Sequence, residues 1–241
     1  MTLAAWFGMN DLSSAKASFS EQAVIFTRKH NWLMCWLYIA TFGSFIGYAP
    51  VSAADQAQFP GVDPLKFAFL GPLVGALVRP MGGWLADKMG GASVTLWNFV
   101  LMIAAVFGVL AFLPHGGEGG NFYGFLAMFM LLFITTGIGN GSTFRMIPVI
   151  FRTQHERASV GASAQVKEQA MKNAGKESAA VLGFSSAVAA YGAFFIPKSF
   201  GTSMALTGGP QMALYVFIAF YLSCILLTWW SYARKGAEMP C

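Results

Sequence analysis

Arg79 stands eight residues before Asp87, inside a long apolar run. A helix rises about 1.5 Å per residue, so Arg79 is expected roughly 12 Å inside the end that Asp87 marks. A charged side chain at such membrane depth costs at least about 2.5–3.5 kcal/mol on insertion scales. All ten acidic residues fall in expected loops or at expected span ends, so none is placed to neutralise it. A guanidinium stays protonated, and its planar fork of donors matches the oxygens of a small planar anion. Arg79 therefore reads as a receptor for a mobile anion. The competing reading is an arginine packed against helix-end carbonyls.

The polar and aromatic groups nearby follow the same logic. Tyr38 and Phe42 are four apart in LYIATFGSFIGY and share a helical face, one bringing a hydroxyl and the other a wall that excludes water. Gly71, Gly75, Arg79 and Gly83 recur every four residues, a small-residue stripe that admits close helix approach or leaves space for a substrate. Gly137, Gly139 and Gly141 alternate around Asn140 and Ser142 in TTGIGNGSTF. Three glycines in a helix each cost about 1 kcal/mol, which implies close backbone approach there. Gly183, Ser185 and Ser186 repeat the small and hydroxylic pattern further on. Cys35, Cys224 and Cys241 form no paired motif, so neither a disulfide framework nor a metal site is expected, and no cofactor.

These residues require membrane elements to hold them. The chain has 241 residues, 56% hydrophobic and only 10% charged. A soluble domain carries about 25% charge. This composition excludes an ordinary soluble enzyme and a disordered chain. The net charge of +5 does not imply a nucleic-acid partner, because the cations form no phosphate-facing patch. A bilayer-spanning helix takes about 20 residues, so six spans fit and twelve do not. The apolar runs predict an all-α membrane protein with spans near 32–50, 65–86, 94–114, 122–147, 178–198 and 212–233, the fifth ending about Pro197. Residues 1–31 read as a polar linker-like segment, 148–177 as a long basic loop, and 234–241 as a tail. The third and sixth spans, plainly apolar, are expected at the lipid-facing periphery.

Eleven cations, among them Arg28, Lys29, Lys88, Arg152, Arg157 and Arg234, fall on one side of this six-span plan, against Lys66 and Lys198 on the other. By the positive-inside rule both termini are expected in the cytoplasm. Arg145, near the end of the fourth span, is expected to snorkel to the headgroups.

At these segments the sequence resembles a known family. RPMGGWLADKMGG (79–91) resembles the loop motif of the major facilitator superfamily in its second-half copy. GIGNGSTFRMIPVIF (137–151), ESAAVLGFSSAVAAYGAFFIP (177–197) and LYIATFGSFIGY resemble the tenth, eleventh and seventh helices of its nitrate/nitrite porters. The resemblance implies one half, helices seven to twelve, of a twelve-helix fold that carries nitrate or nitrite by alternating access, as an antiporter or with a coupled cation. It implies a bacterial inner-membrane location and a partner, either the first six-helix half or a second copy of this chain. It places Arg79, Tyr38, Phe42, Gly183, Asn140, Gly141, Ser142 and Ser186 at the substrate site. It places Gly83, Asp87 and Lys88 at a gate. The alternatives are a truncated product or an assembly or regulatory subunit that transports nothing. An intramembrane serine protease built on Ser142 is disfavoured, since His30, His115 and His155 all fall in loops or at span edges.

Overall fold

The computed structural model describes residues 18–56, 59, 61–63, 66–114 and 119–241. Most of the expected linker, including Lys16, lies outside the described residues, as do His115 and Glu118. The described residues form helices and connecting turns. A short helix α1 (Phe19–Gln22) and a 3₁₀ turn (Ala23–Thr27) lead into α2 (Lys29–Tyr38). A π-helical segment (Ile39–Gly43) joins α2 to α3 (Ser44–Gln56), making one rod. Then come α4 (Leu70–Met89), α5 (Gly91–Phe112) and α6 (Phe122–Ala158). The chain ends with α7 (Ala164–Ala190), α8 (Gly192–Thr207), α9 (Gln211–Thr228) and a second π-helical segment (Trp229–Ala233). The arrangement matches the expected six crossings of an all-α membrane half.

Five stretches are long and apolar enough to cross a membrane: Lys29–Val51, Gly91–Phe112, Phe122–Ala158, Ala164–Thr207 and Gln211–Ala233. The sixth crossing, α4, has 20 residues and the required length. It carries Arg79, Asp87 and Lys88.

Two expectations about boundaries change. The stretch 148–177 is not a long loop. Helix α6 runs through Pro148 to Ala158, and α7 begins at Ala164, so only a five-residue turn separates them. The segment AQVKEQAMKNAGKE is rich in strong helix formers and carries an i,i+4 pair, Glu168–Lys172, with N–O at 2.7 Å. Nor does Pro197 end the fifth crossing. The break falls at Tyr191, and Pro197 lies inside α8.

Glycine sets how closely the helices approach. A Cβ on Gly82 would sit 2.0 Å from the Ile138 carbonyl oxygen, and one on Gly141 2.2 Å from that of Arg79. Gly71 faces Phe133 and Gly137 faces Gly75, so α4 and α6 run parallel with their backbones in contact. A step of four residues drifts about 40° around a helix. The seam therefore passes from Gly71 and Gly75 to Gly82, and Gly83 has room, with the Gly141 carbonyl 4.0 Å from its virtual Cβ. The same drift turns Arg79 to the edge of the seam. Helices α2–α3 and α8 meet at Gly43 and Gly192, where an added Cβ on Gly192 would lie 2.6 Å from Gly43 Cα.

Helices α5 and α9, expected at the periphery, each expose one apolar face, including Trp97, Phe107, Tyr215 and Leu226. Their other faces are buried and not purely apolar. Thr95 and Asn98 of α5 are buried, and Tyr221 of α9 joins Ser44 (2.8 Å) and Tyr48 (2.7 Å) in a hydroxyl network.

Candidate functional site

The Arg79 side chain leaves α4 half-buried and turns toward the π-helical segment of the first rod. Its Nη2 donates to the Tyr38 hydroxyl at 3.3 Å. The guanidinium carbon lies 5.7 Å from the ring centroids of both Phe42 and Phe144. Tyr38 and Phe42 stack, with centroids 5.3 Å apart and planes at 25°. π-Bulges inside helices gather at functional sites because they re-aim side chains. Here one begins at Ile39, directly after Tyr38, and contains Phe42. Among the described residues no carboxylate pairs with Arg79. The cation is held by a neutral hydroxyl and two ring faces, contacts that leave most of its fork of donors available.

Phe144 was not among the residues singled out from sequence. It lies one turn beyond Asn140 on α6 and is 40% exposed. It reaches Arg79 because the glycine seam puts α6 alongside α4.

The other expected site residues divide. Ser186 lies beside the Tyr38 hydroxyl and donates to the Leu182 carbonyl at 2.7 Å. Gly141 supports the site from below, its missing side chain allowing the Arg79 carbonyl to approach. Asn140 is buried, and its Oδ1 has no hydrogen-bond partner. Ser142 faces away from Arg79. Its hydroxyl is fully buried, 2.8 Å from Thr95 Oγ1 on α5, and bonds the Gly139 carbonyl at 3.1 Å. A helical residue only 100° from Gly141 necessarily meets a different neighbour. Gly183 lies on the exposed side of α7, where an added Cβ would meet no atom within 4 Å.

At the end of α4, Asp87 forms an ion pair with Arg145. Arg145 therefore binds across the α4–α6 seam, where the sequence suggested a side chain reaching to headgroups. The Lys88 ammonium sits 4.1 Å from the Trp84 ring centroid.

The same end of the molecule holds several further charged contacts. Arg28 grips buried Glu177 through Nε (3.0 Å) and Nη2 (2.9 Å), and His155 Nε2 lies 3.1 Å from the same carboxylate. Lys29 Nζ meets Glu238 at 2.6 Å, and Arg157 donates to the Glu238 carbonyl at 2.7 Å. The Ala92 amide donates to the Cys241 carbonyl at 2.9 Å. His30 Nδ1 lies 3.0 Å from the Tyr232 hydroxyl. Residues 28–30, 92, 155–157, 177 and 238–241 thus meet at one end, as six alternating crossings require.

No protein-family model matches the chain. Among curated proteins it is 52% identical over 236 residues to the nitrate/nitrite transporter NarU of Salmonella typhimurium, and 50% identical over 238 residues to NarU of Escherichia coli. It is 36% identical over 245 residues to the probable nitrate/nitrite antiporter NarK2 of Thermus thermophilus. Each match covers 97–99% of this chain and 50% of the relative, so the chain spans about half the length of the curated relatives it matches.

Proposed function

We propose that this chain, whose kinship over nearly its whole length is with nitrate/nitrite porters, is one half of such a porter, and that Arg79 binds the transported anion. One observation carries the proposal: a half-buried guanidinium in a membrane helix, held by Tyr38, Phe42 and Phe144, with no carboxylate partner among the described residues. An arginine facing lipid would be costly, so the face around Arg79 calls for a polar, protein-lined cover. A second six-helix half, parallel to this one about an axis along the membrane normal, supplies such a cover. It comes either from a separate first half or from a second copy. A planar anion then receives the guanidinium fork on one edge and the Tyr38 hydroxyl as a further donor. Phe42 and Phe144 keep water from the other faces. Asn140 offers an amide close to the backbone of Arg79's level, and Ser186 orients Tyr38. Gly183 leaves space on α7 for the opposing half. The Asp87–Arg145 pair, with Gly83 and Lys88, acts at the gate end. The paired end, rich in cations, faces the cytoplasm of a bacterial cell. The function is transport and not catalysis.

Labelled-nitrate uptake into proteoliposomes tests this. Uptake by the purified chain alone supports a homodimer, and uptake only with an added first half supports a split porter. Absence of uptake in both preparations overturns the proposal in favour of a non-transporting subunit. In an active preparation, Arg79→Lys keeps the charge and loses the bidentate fork, so uptake falls at least tenfold. Unchanged uptake removes Arg79 from the site.

A further inference from the structure

Two facing rows of side chains lead away from Arg79 toward the paired end. On α6, Phe144, Pro148 and Arg152 follow at intervals of four. On α7, Ser186, Leu182 and Ser178 run the same way, because α7 is antiparallel to α6. The first member of each row is at the site: Phe144 against the Arg79 guanidinium and Ser186 beside Tyr38. Between the later members lies an open cleft of about 570 Å³, lined by Pro148, Arg152, Gly175, Ser178, Ala179 and Leu182 among others. The wall on the α7 side is kept low by Gly175, where an added Cβ would meet nothing within 4 Å. Eight residues separate Phe144 from Arg152, which is about 12 Å along a helix.

Among the described residues that line it, Arg152 brings the cleft its one full charge. Its partner is Glu156, one turn on, at 2.7 Å, with the two side chains 72% and 48% exposed. An exposed i,i+4 pair of this kind is weak and opens readily. Arg152 can therefore exchange its carboxylate for a passing anion, whereas Arg28, held bidentately by buried Glu177, cannot.

We infer that this α6–α7 cleft is an anion-attracting approach to the Arg79 site, with Arg152 as a low-affinity station at its mouth for small monovalent oxyanions. The inference rests on the porter reading for what it leads to, but the attraction itself is a property of the cleft. A cation at the rim of a low-dielectric groove concentrates anions locally and raises their arrival rate. The effect fades with salt, over a Debye length of about 10 Å at 0.1 M.

Thiol labelling in membranes tests it without requiring transport. Ala179→Cys puts a thiol on the cleft wall at an exposed position. The native cysteines form a quiet background: Cys35 and Cys224 are buried, and burial pushes the Cys241 thiol up to about 12. The full chain is treated with a sulfonate-bearing or a trimethylammonium-bearing methanethiosulfonate, each rate normalised to a free thiol. The sulfonate is expected to be favoured about three- to tenfold at low salt. Arg152→Gln removes that preference, Arg152→Lys retains it, and Glu156→Gln increases it. An unlabelled Ala179→Cys, or a sulfonate preference that survives Arg152→Gln, overturns the inference. Failure of the wild type to take up nitrate both alone and with an added first half overturns the porter reading, and the labelling still decides whether the cleft attracts anions.

Discussion

Two charged regions of this chain are built in opposite ways. At the paired end each of the central cations has an acid: Arg28 has Glu177, Lys29 has Glu238, and Arg145 has Asp87. At the other region Arg79 has a phenol and two rings. An ion pair in a protein fixes geometry and joins elements. Here it ties the start of α2 to α7 and to the tail. An arginine left without a carboxylate joins nothing firmly and keeps its donors for another anion. On the proposed reading, the difference separates charges that hold the helices together from a charge kept for binding.

The largest expected effect breaks the binding side of this contrast. Arg79→Gln removes the charge and the fork while keeping some of the side chain's volume. Transport in an active preparation is expected to fall at least about a hundredfold, equivalent to about 2.7 kcal/mol. Thermal stability in detergent should hold or rise, since no ion pair is lost and a membrane charge is removed. A marked loss of stability would mean that Arg79 is structural, like the cations at the paired end.

A second variant acts on the seam that places Arg79. Gly141→Ala sets a Cβ 2.2 Å from the Arg79 carbonyl. The three α4 atoms that this Cβ would meet, the Arg79 carbonyl oxygen, the Gly83 nitrogen and the Gly82 Cα, are all backbone, so α4 and α6 must separate. Overpacking of this kind costs about 1–3 kcal/mol. Gly183→Ala, on an open face, should cost little in the isolated half. Denaturant titration of the two variants side by side checks the difference. Equal stabilities would show that the seam tolerates separation.

How much of this was legible in sequence depended on whether a residue's chemistry needed a neighbour to define it. Arg79, Tyr38 and Phe42 were legible because a charge in an apolar run and two aromatics at i and i+4 carry their meaning locally. Ser142 was not. A hydroxyl beside three glycines reads alike whichever way the helix is rotated, and the rotation that gives Gly141 to α4 gives Ser142 to Thr95. Phe144 was missed because one phenylalanine among 23 carries no signal until the register of α4 on α6 is known. The helical hairpin across 148–177 was hidden because apolar runs mark only what lies in lipid. Its helix-forming composition and its Glu168–Lys172 spacing were visible but do not form an apolar run. The pairing of the basic residues also depends on tertiary contacts, since Glu177 and Arg28 are 149 residues apart.

A third prediction sharpens the structural side. Glu177→Gln leaves Arg28 and His155 without their shared carboxylate. Breaking a fully buried pair costs about 3–5 kcal/mol. The Arg28 side chain is 30% exposed, and solvent screening discounts that figure to about 1–2 kcal/mol. Unfolding of the purified half should show this loss, with the nitrate KM of an active preparation unchanged. A changed KM with unchanged stability would move Glu177 from scaffold to transport path.

The smallest effect belongs to the tail. The hydrogen bond from the Lys29 ammonium, with help from His30, holds the Glu238 carboxyl below the usual carboxylate range. A depressed carboxyl contributes stability that is fully present above its unfolded pKa, near 4.3, and lost as pH falls through the lower folded value. Glu238 is about half exposed, so the contribution is below about 1 kcal/mol. Between pH 5 and pH 3 the tail's grip on the start of α2 should therefore weaken slightly. Hydrogen exchange of the Met239 amide, which donates to the Ser231 carbonyl at 3.2 Å, reports on that grip. After correction for intrinsic rates, its protection should drop across this interval in the wild type and stay flat in Glu238→Gln. A wild-type drop that persists in Glu238→Gln would assign the acid sensitivity to another group and leave the Lys29–Glu238 pair without structural weight.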